Sequence, residues 1–357
     1  MALFDSGATL ADRFRNHARD NTHLYGYAMR GMADDWEAGG PVRQVCAGYE
    51  DVPDGSALQL RLLAGVFRLV LTGQAPELEP FYPSLGGTSP PADAWPVMRQ
   101  VIGDHVGELR TALETAPQTN EVGRSAALLA GLFDVVAASG CHRIRLLELG
   151  ASAGLNLLVD AYGYSGDGWR WGSESSPVQL VDSIQGHVHP QSFTVTERRG
   201  CDLHPVDVAT EEGRVLLTSF VWPFNVARHR RLAAALEVVA AGEAPTVDAA
   251  PASRWLAEQL DADRGDATQT LTVVWQSITQ LYWPADEISQ VRATLAEQGA
   301  GRPLAHVAME FDPQAPRDAK PRVTTELWQP QVSHYPRQRL IATAHDHGVP
   351  VRLVSEG

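Results

Sequence analysis

Fourteen residues, Arg143-Ile-Arg-Leu-Leu-Glu-Leu-Gly-Ala-Ser-Ala-Gly-Leu-Asn156, restrict the fold more than any other stretch of this 357-residue chain. An apolar strand ends in an acid, Glu148, and passes through a turn of small residues into a helix. Gly150 and Gly154 let the backbone adopt left-handed angles and approach a neighbour closely. Strand, small-residue turn and helix in that order open a βαβ unit, which commits the chain to a mostly parallel sheet. The rest of the C-terminal part keeps this rhythm. Strands are expected at Arg143–Leu149, Thr194–Asp202, Val215–Val221, Thr246–Asp248, Leu271–Trp275, Leu304–Phe311, Thr324–Trp328 and Arg339–Ala344. Helices fit Leu155–Tyr162, Ala227–Ala241, Ala252–Leu260 and Asp286–Gln298. The Gly-, Ser- and Trp-rich stretch 163–192 reads as an inserted hairpin, and two last strands around Pro330–Pro336 suggest an antiparallel edge.

Upstream, from Leu10 to about Ala138, apolar residues such as Leu58, Leu62, Val66, Leu69 and Val70 recur at helical steps. The expected architecture is therefore α/β, with an all-helical N-terminal cap over residues 1–140 and a sheet domain over 141–357. Such a cap would close over a pocket and exclude water.

Several function classes drop out on composition. The formal charge of −14 repels phosphate backbones and anionic lipid, so neither a nucleic acid nor a membrane is expected as partner, and a small-molecule substrate is. Cys46, Cys141 and Cys201 are widely separated, arguing against a disulfide framework or a thiolate zinc site and favouring a cytoplasmic setting. Lys320 is the single lysine among 29 basic residues and sits in neither a phosphate loop nor a Schiff-base context. No N-terminal signal segment is visible, and no uninterrupted apolar stretch of about 18 residues is expected. Nothing in the sequence sets the oligomeric state.

The turn after the first strand admits two chemistries. In one, Gly150 and Gly154 bring the backbone against a nucleotide-like ligand while Glu148 accepts from a cationic or hydroxyl group, as in the glycine loop of S-adenosylmethionine (SAM) enzymes. Serine at position 152 breaks the G-x-G-x-x-G spacing of dinucleotide folds. In the other, Gly150-Ala-Ser-Ala-Gly154 is a G-x-S-x-G nucleophile elbow, with Ser152, Asp312 and His345 in the order of an α/β-hydrolase triad. The mainly helical upstream chain and the ionised Glu148 beside the turn argue against the hydrolase. A plain tight turn without ligand is the third possibility.

Leu146–Asn156, Gln118-Thr-Asn-Glu-Val-Gly-Arg124, Arg198-Arg-Gly-Cys-Asp-Leu-His-Pro-Val-Asp207, Phe81-Tyr-Pro-Ser84 and Ala342-Thr-Ala-His-Asp-His-Gly348 resemble an uncharacterised bacterial family, domain of unknown function number 2332. That family is thought to be related to class I SAM-dependent methyltransferases. The resemblance implies a Rossmann-like sheet, S-adenosyl-L-methionine as cofactor and in-line methyl transfer to a small acceptor; a SAM-fold binding protein without catalysis is the alternative. It implies that Glu148, Gly150, Ala151, Ser152, Gly154 and Asn156 form the first cofactor motif. Asp202 and Leu203 would close the second strand and hold the ribose, although Asp202 lies 48 residues beyond Gly154 rather than the usual ~20. Asp182 is the fallback.

Asp248 would lie beside the adenine, or cap the helix that follows. Gln276 and Ser277 end the fourth parallel strand and should face the reaction. Asn120 and Glu121 are placed on the pocket wall, with Arg124 available to a substrate carboxylate. Glu121, Gln276 and Tyr282 are the candidate catalytic residues, and Asn120 and Ser277 join the cofactor set. No metal is expected: His334, His345 and His347 could gather one, but a turn explains the latter pair more simply. Glu310 and Asp312, spaced like paired carboxylates, stay unassigned.

Overall fold

The structure, a computed structural model, describes residues 9–52, 56–242, 244–261, 270–316, 319–329 and 338–354. Along the chain run helices α1 (Leu10–Ala18), α2 (Leu24–Glu37), α3 (Pro41–Val45), α4 (Leu58–Leu71), α5 (Ala94–Asp104) and α6 (Val106–Leu113). They are followed by α7 (Ser125–Ser139), α8 (Glu211–Ser219), α9 (Val226–Ala241), α10 (Ala252–Asp261) and α11 (Ala285–Gly299). The strands are β1 (Arg143–Leu149), β2 (Gly163–Gly166), β3 (Trp169–Gly172), β4 (Gln179–Val181), β5 (Ile184–Gln185) and β6 (Thr194–Asp202). Six more complete the chain: β7 (Thr246–Ala249), β8 (Thr270–Ser277), β9 (Leu304–Glu310), β10 (Arg322–Trp328), β11 (Arg339–Ala344) and β12 (Val351–Leu353).

The chain divides into two compact units. One comprises Met1–Thr119 and Thr210–Arg230 and is helical. Its first helix opens on a capping box, in which the Thr9 hydroxyl accepts from the Asp12 amide and the Asp12 carboxylate accepts from the Thr9 amide. Helix α4 buries Leu58, Leu62, Val66, Leu69 and Val70, the stripe that its sequence spacing predicts. Helix α8 occupies the place of the strand expected at Val215–Val221. Its N-cap Thr210 accepts from the Gly213 amide at 3.0 Å, and Glu211 and Glu212 complement the positive helix end. That start signal outweighs the β propensity of Val215.

The other unit, Asn120–Ala209 with Arg231–Gly357, holds a nine-stranded sheet in the order β5-β12-β11-β10-β9-β8-β1-β6-β7. Strands β9, β8, β1, β6 and β7 are parallel; β10, β11 and β12 run antiparallel to their predecessors. A separate three-stranded sheet, β3-β2-β4, contains the expected hairpin. The chain fills positions to one side of β1 with β6 and β7, then crosses to the other with β8 and β9. The order therefore reverses at β1, and on open α/β sheets the crevice outside the carboxyl ends at such a point takes the ligand. Strand β1 is buried along its length after Arg143, as a central parallel strand must be.

Helix α7 lies in this unit rather than in the helical one, so the division falls at Thr119 and not near residue 140. The stretch Val122–Ser139 has 18 residues and a mean hydropathy of 1.4, long and apolar enough to cross a membrane by composition alone. Arg124 and Asp134 interrupt it, and 72% of it is buried within the protein. Residues Leu155–Ala161 form a 3-10 turn kinked at Leu158 in place of the regular helix expected there.

Candidate functional site

Four strand ends converge at the point of reversal. Strand β1 stops at Leu149 and the chain turns over Gly150 to Gly154, with Gly150, Ser152 and Gly154 all at positive φ, +71°, +53° and +72°. The turn leans on the next strand: the Gly150 and Ala151 amides both donate to the Cys201 carbonyl at 2.9 Å. The Ser152 amide donates to Asp202 Oδ2 at 2.9 Å, and the His204 amide donates to Asp202 Oδ1 at the same distance. Asp202 is thus the clasp between the glycine turn and the end of β6. Asp182 lies beside β5 at the far edge of the sheet, away from β1.

The 118–124 motif also reaches this turn. Asn120 Oδ1 accepts from the Leu155 amide at 2.8 Å, capping the 3-10 turn. Glu121 is buried and accepts from the Gly123 amide at 3.2 Å, with the Arg231 guanidinium at 3.5 Å and His347 Nδ1 at 3.9 Å. Arg124, placed with a substrate carboxylate on sequence grounds, is buried and donates to the carbonyls of Ser277 at 3.0 Å and Asp346 at 3.1 Å. It ties the end of β8 to the loop after β11.

At the centre stands Glu148, 2% exposed. Burial pushes its carboxyl up to about 8, against the opposing pull of Asn156, Trp275 and Arg124, while Asp202 adds to the rise. Asn156 Nδ2 donates to its Oε1 at a long 3.4 Å. Glu148 Oε2 and Asn156 Oδ1 are buried acceptors with no hydrogen-bond partner among the described residues. The Trp275 indole, opposite Glu148 on β8, lies near enough to favour the carboxylate, although its Nε1 has no hydrogen-bond partner among the described residues. Buried polar atoms are normally paired, so orphans clustered at a strand tip make this the candidate position for an outside group.

Other candidates have different partners. Asp248 accepts from Arg199 at 2.8 Å and from the Trp255 indole at 2.6 Å, which makes it a strut between β6, β7 and α10 rather than a helix cap. Gln276 is fully buried, with its amide bonded to Glu310 and its oxygen to His306. Leu203 and Tyr282, beyond the ends of β6 and β8, are 63% and 70% exposed. Ile278, just past β8, sits at φ +53°, a costly conformation for a β-branched residue and one that functional sites tolerate. Sequence reasoning missed Ile278, whose backbone angle no residue pattern reveals.

The glycines answer to packing. A Cβ at Gly150 would fall 2.3 Å from Thr279, and one at Gly154 would meet Pro245 and Val247 at 3.0 Å. A Gly154→Val variant therefore strains the fold itself and cannot isolate ligand binding.

Ser152 shares its positive φ with nucleophile elbows, but it is 4% exposed. Asp312 pairs with Arg322 at 2.9 Å, and His345 with its neighbour Asp346. A fluorophosphonate probe is accordingly expected to leave the protein unlabelled; stoichiometric labelling that Ser152→Ala removes would establish the hydrolase. Among the described residues no three His, Cys, Asp or Glu side chains gather to hold a metal, and His334 lies outside those residues.

Over residues 8–352 the chain matches the family model described as an uncharacterized protein conserved in bacteria, DUF2332. No curated protein and no solved structure matches it at a significant level. Because the match spans nearly the whole chain, the protein belongs to this bacterial DUF2332 family.

Proposed function

We propose that the protein is a SAM-dependent methyltransferase that acts on a small-molecule acceptor by in-line methyl transfer, with a class I methyltransferase-like sheet as its scaffold. One observation carries the reading: Glu148 Oε2 and Asn156 Oδ1, two buried acceptors without hydrogen-bond partners among the described residues, stand together at the carboxyl end of β1 where the strand order reverses. Two acceptors in a low-dielectric site suit an ammonium, the group at the methionine end of SAM. The parallel strands, numbered by their order in the chain, run 3-2-1-4-5, the arrangement of doubly wound nucleotide-binding sheets.

The residues present fit the cofactor in part. Glu148 and Asn156 would receive the amine. Each Asp202 oxygen already accepts one amide and keeps a lone pair for a ribose hydroxyl. Leu203 offers an exposed apolar surface to a base. The amides of Gly150, Ala151, Ser152, Gly154 and Leu155 are bonded within the protein, so the turn supplies shape rather than donors.

When bound, the sulfonium supplies an already activated methyl group. The protein's task is then orientation of the acceptor. Asn120 fixes the start of the 3-10 turn, and Arg124 fixes the end of β8. Gln276 does not act as a base, since both ends of its amide are engaged. A base is needed only for an acceptor that must lose a proton first. The test is incubation with methyl-labelled SAM and a fractionated bacterial metabolite extract. Label on a small product, absent with Glu148→Gln, is the expected result; binding of SAM with no labelled product in any fraction would make this a binding protein.

A further inference from the structure

We propose that the face of the sheet opposite Glu148 carries a second binding site, for a small zwitterion bearing one ammonium and one carboxylate. Successive strand residues point to opposite faces, so Gln276 lies on the other side from Trp275 and its neighbour Glu148. On that side Gln276, His306, Glu310 and Glu326 share a face of β8, β9 and β10 by register. Beneath α11 this face forms a cleft of about 460 Å³, within the ~300–1,000 Å³ of small-molecule pockets. His306, Glu310, Arg292 and Trp328 are among its walls.

A hydrogen-bonded chain sets what the cleft presents. Gln276 Nε2 donates to Glu310 Oε1 at 3.0 Å, so its Oε1 faces His306 Nε2 at 3.1 Å. His306 must then carry its proton on Nε2, which leaves Nδ1 with a bare lone pair. Glu310 Oε1 also accepts from the Thr279 hydroxyl at 3.1 Å, the Thr279 amide at 3.0 Å and the Gln280 amide at 3.4 Å. All four donors converge on one oxygen and leave Oε2 to the cleft. Burial keeps His306 neutral, down to about 4, and raises the Glu310 carboxyl.

Glu310 Oε2 is the carboxylate oxygen left to the cleft, and an ammonium is the donor that suits it. Arg292 on α11 has no ion-pair partner among the described residues, and its charge is felt at His306. It is the natural seat for a carboxylate. Neighbouring Arg322 is already paired with Asp312. A ligand with a single charge would satisfy one end and leave the other bare.

This inference stands apart from the SAM reading, because its ligand-facing groups, His306, Glu310 and Arg292, are not among those assigned to the cofactor. It is tested by nuclear magnetic resonance of histidine-labelled full-length protein. The probes are glycine, 4-aminobutyrate and 6-aminohexanoate, with butylamine and butyrate as single-charge controls. We expect His306 in the Nε2–H tautomer and saturable shifts of its signals with at least one aminocarboxylate, at a Kd of ~1 mM or tighter. The controls should bind at least ~10-fold more weakly, and Arg292→Gln, at an exposed position that spares the fold, should weaken the best probe by a similar factor. The site is overturned if no aminocarboxylate saturates. It is equally overturned if butylamine binds as well as the best of them, or if Arg292→Gln binds unchanged while its other signals show a native fold.

Discussion

Glu148→Gln is expected to stabilise the ligand-free protein at pH 8 by on the order of 3 kcal/mol and to flatten its stability against pH. The folded carboxyl is raised to about 8 from an ordinary 4.5, so between those values the native state holds a proton that the unfolded chain has lost. Stability is therefore full below about 4.5 and falls as pH rises through 8. A glutamine is neutral throughout and keeps the hydrogen bond from Asn156. Urea unfolding at intervals from pH 5 to 9 measures this; parallel curves for the two proteins would show that Glu148 ionises freely. The same change should weaken S-adenosylhomocysteine by roughly 10- to 100-fold, since a neutral amide meets the ammonium less strongly.

Asp202→Ala should have the second large effect. It removes the acceptor for two backbone amides, Ser152 and His204, and so loosens the glycine turn as well as any ribose contact. A loss of about 1–3 kcal/mol in stability is expected, together with a further ~10- to 100-fold loss in affinity for S-adenosylhomocysteine. Asp202→Asn retains one acceptor oxygen, so it should recover only part of the stability and little of the affinity. If Asp182→Ala weakens binding and Asp202→Ala does not, the ribose lies elsewhere.

Much of the sheet could be read from the residues. The bounds of β1, β6 and β11 are those expected from the sequence, though only β1 is the continuous apolar run that a buried parallel strand needs. Strands β5 and β12 were not legible: with two and three residues they have no period, and pairing defines them, β12 with β11 and β5 with β12 at the sheet edge. Strand β8 was legible as an element, while the partners of Gln276 were not. They come from β9 about thirty residues later, and register alone decides them.

The same holds for the site. Glu148, Gly150, Gly154 and Asp202 announced themselves as an acid-tipped strand, a turn and a second strand end. That Asp248 would serve Arg199 and Trp255, and Arg124 two backbone carbonyls, depends on which cations and donors the packing brings within reach. Sequence spacing identifies groups able to bind a ligand; it does not reveal which of them the protein uses on itself.

Calorimetric titration of the wild-type protein with S-adenosylhomocysteine at pH 7, repeated in buffers of different ionisation enthalpy, measures whether the Glu148 site receives the cofactor's ammonium. Saturable one-to-one binding is expected, accompanied by release of up to one proton, as the ammonium ionises a Glu148 that was protonated before it arrived. Absence of saturable heat at millimolar ligand, or binding that persists unchanged in Glu148→Gln with no proton released by either protein, would contradict it.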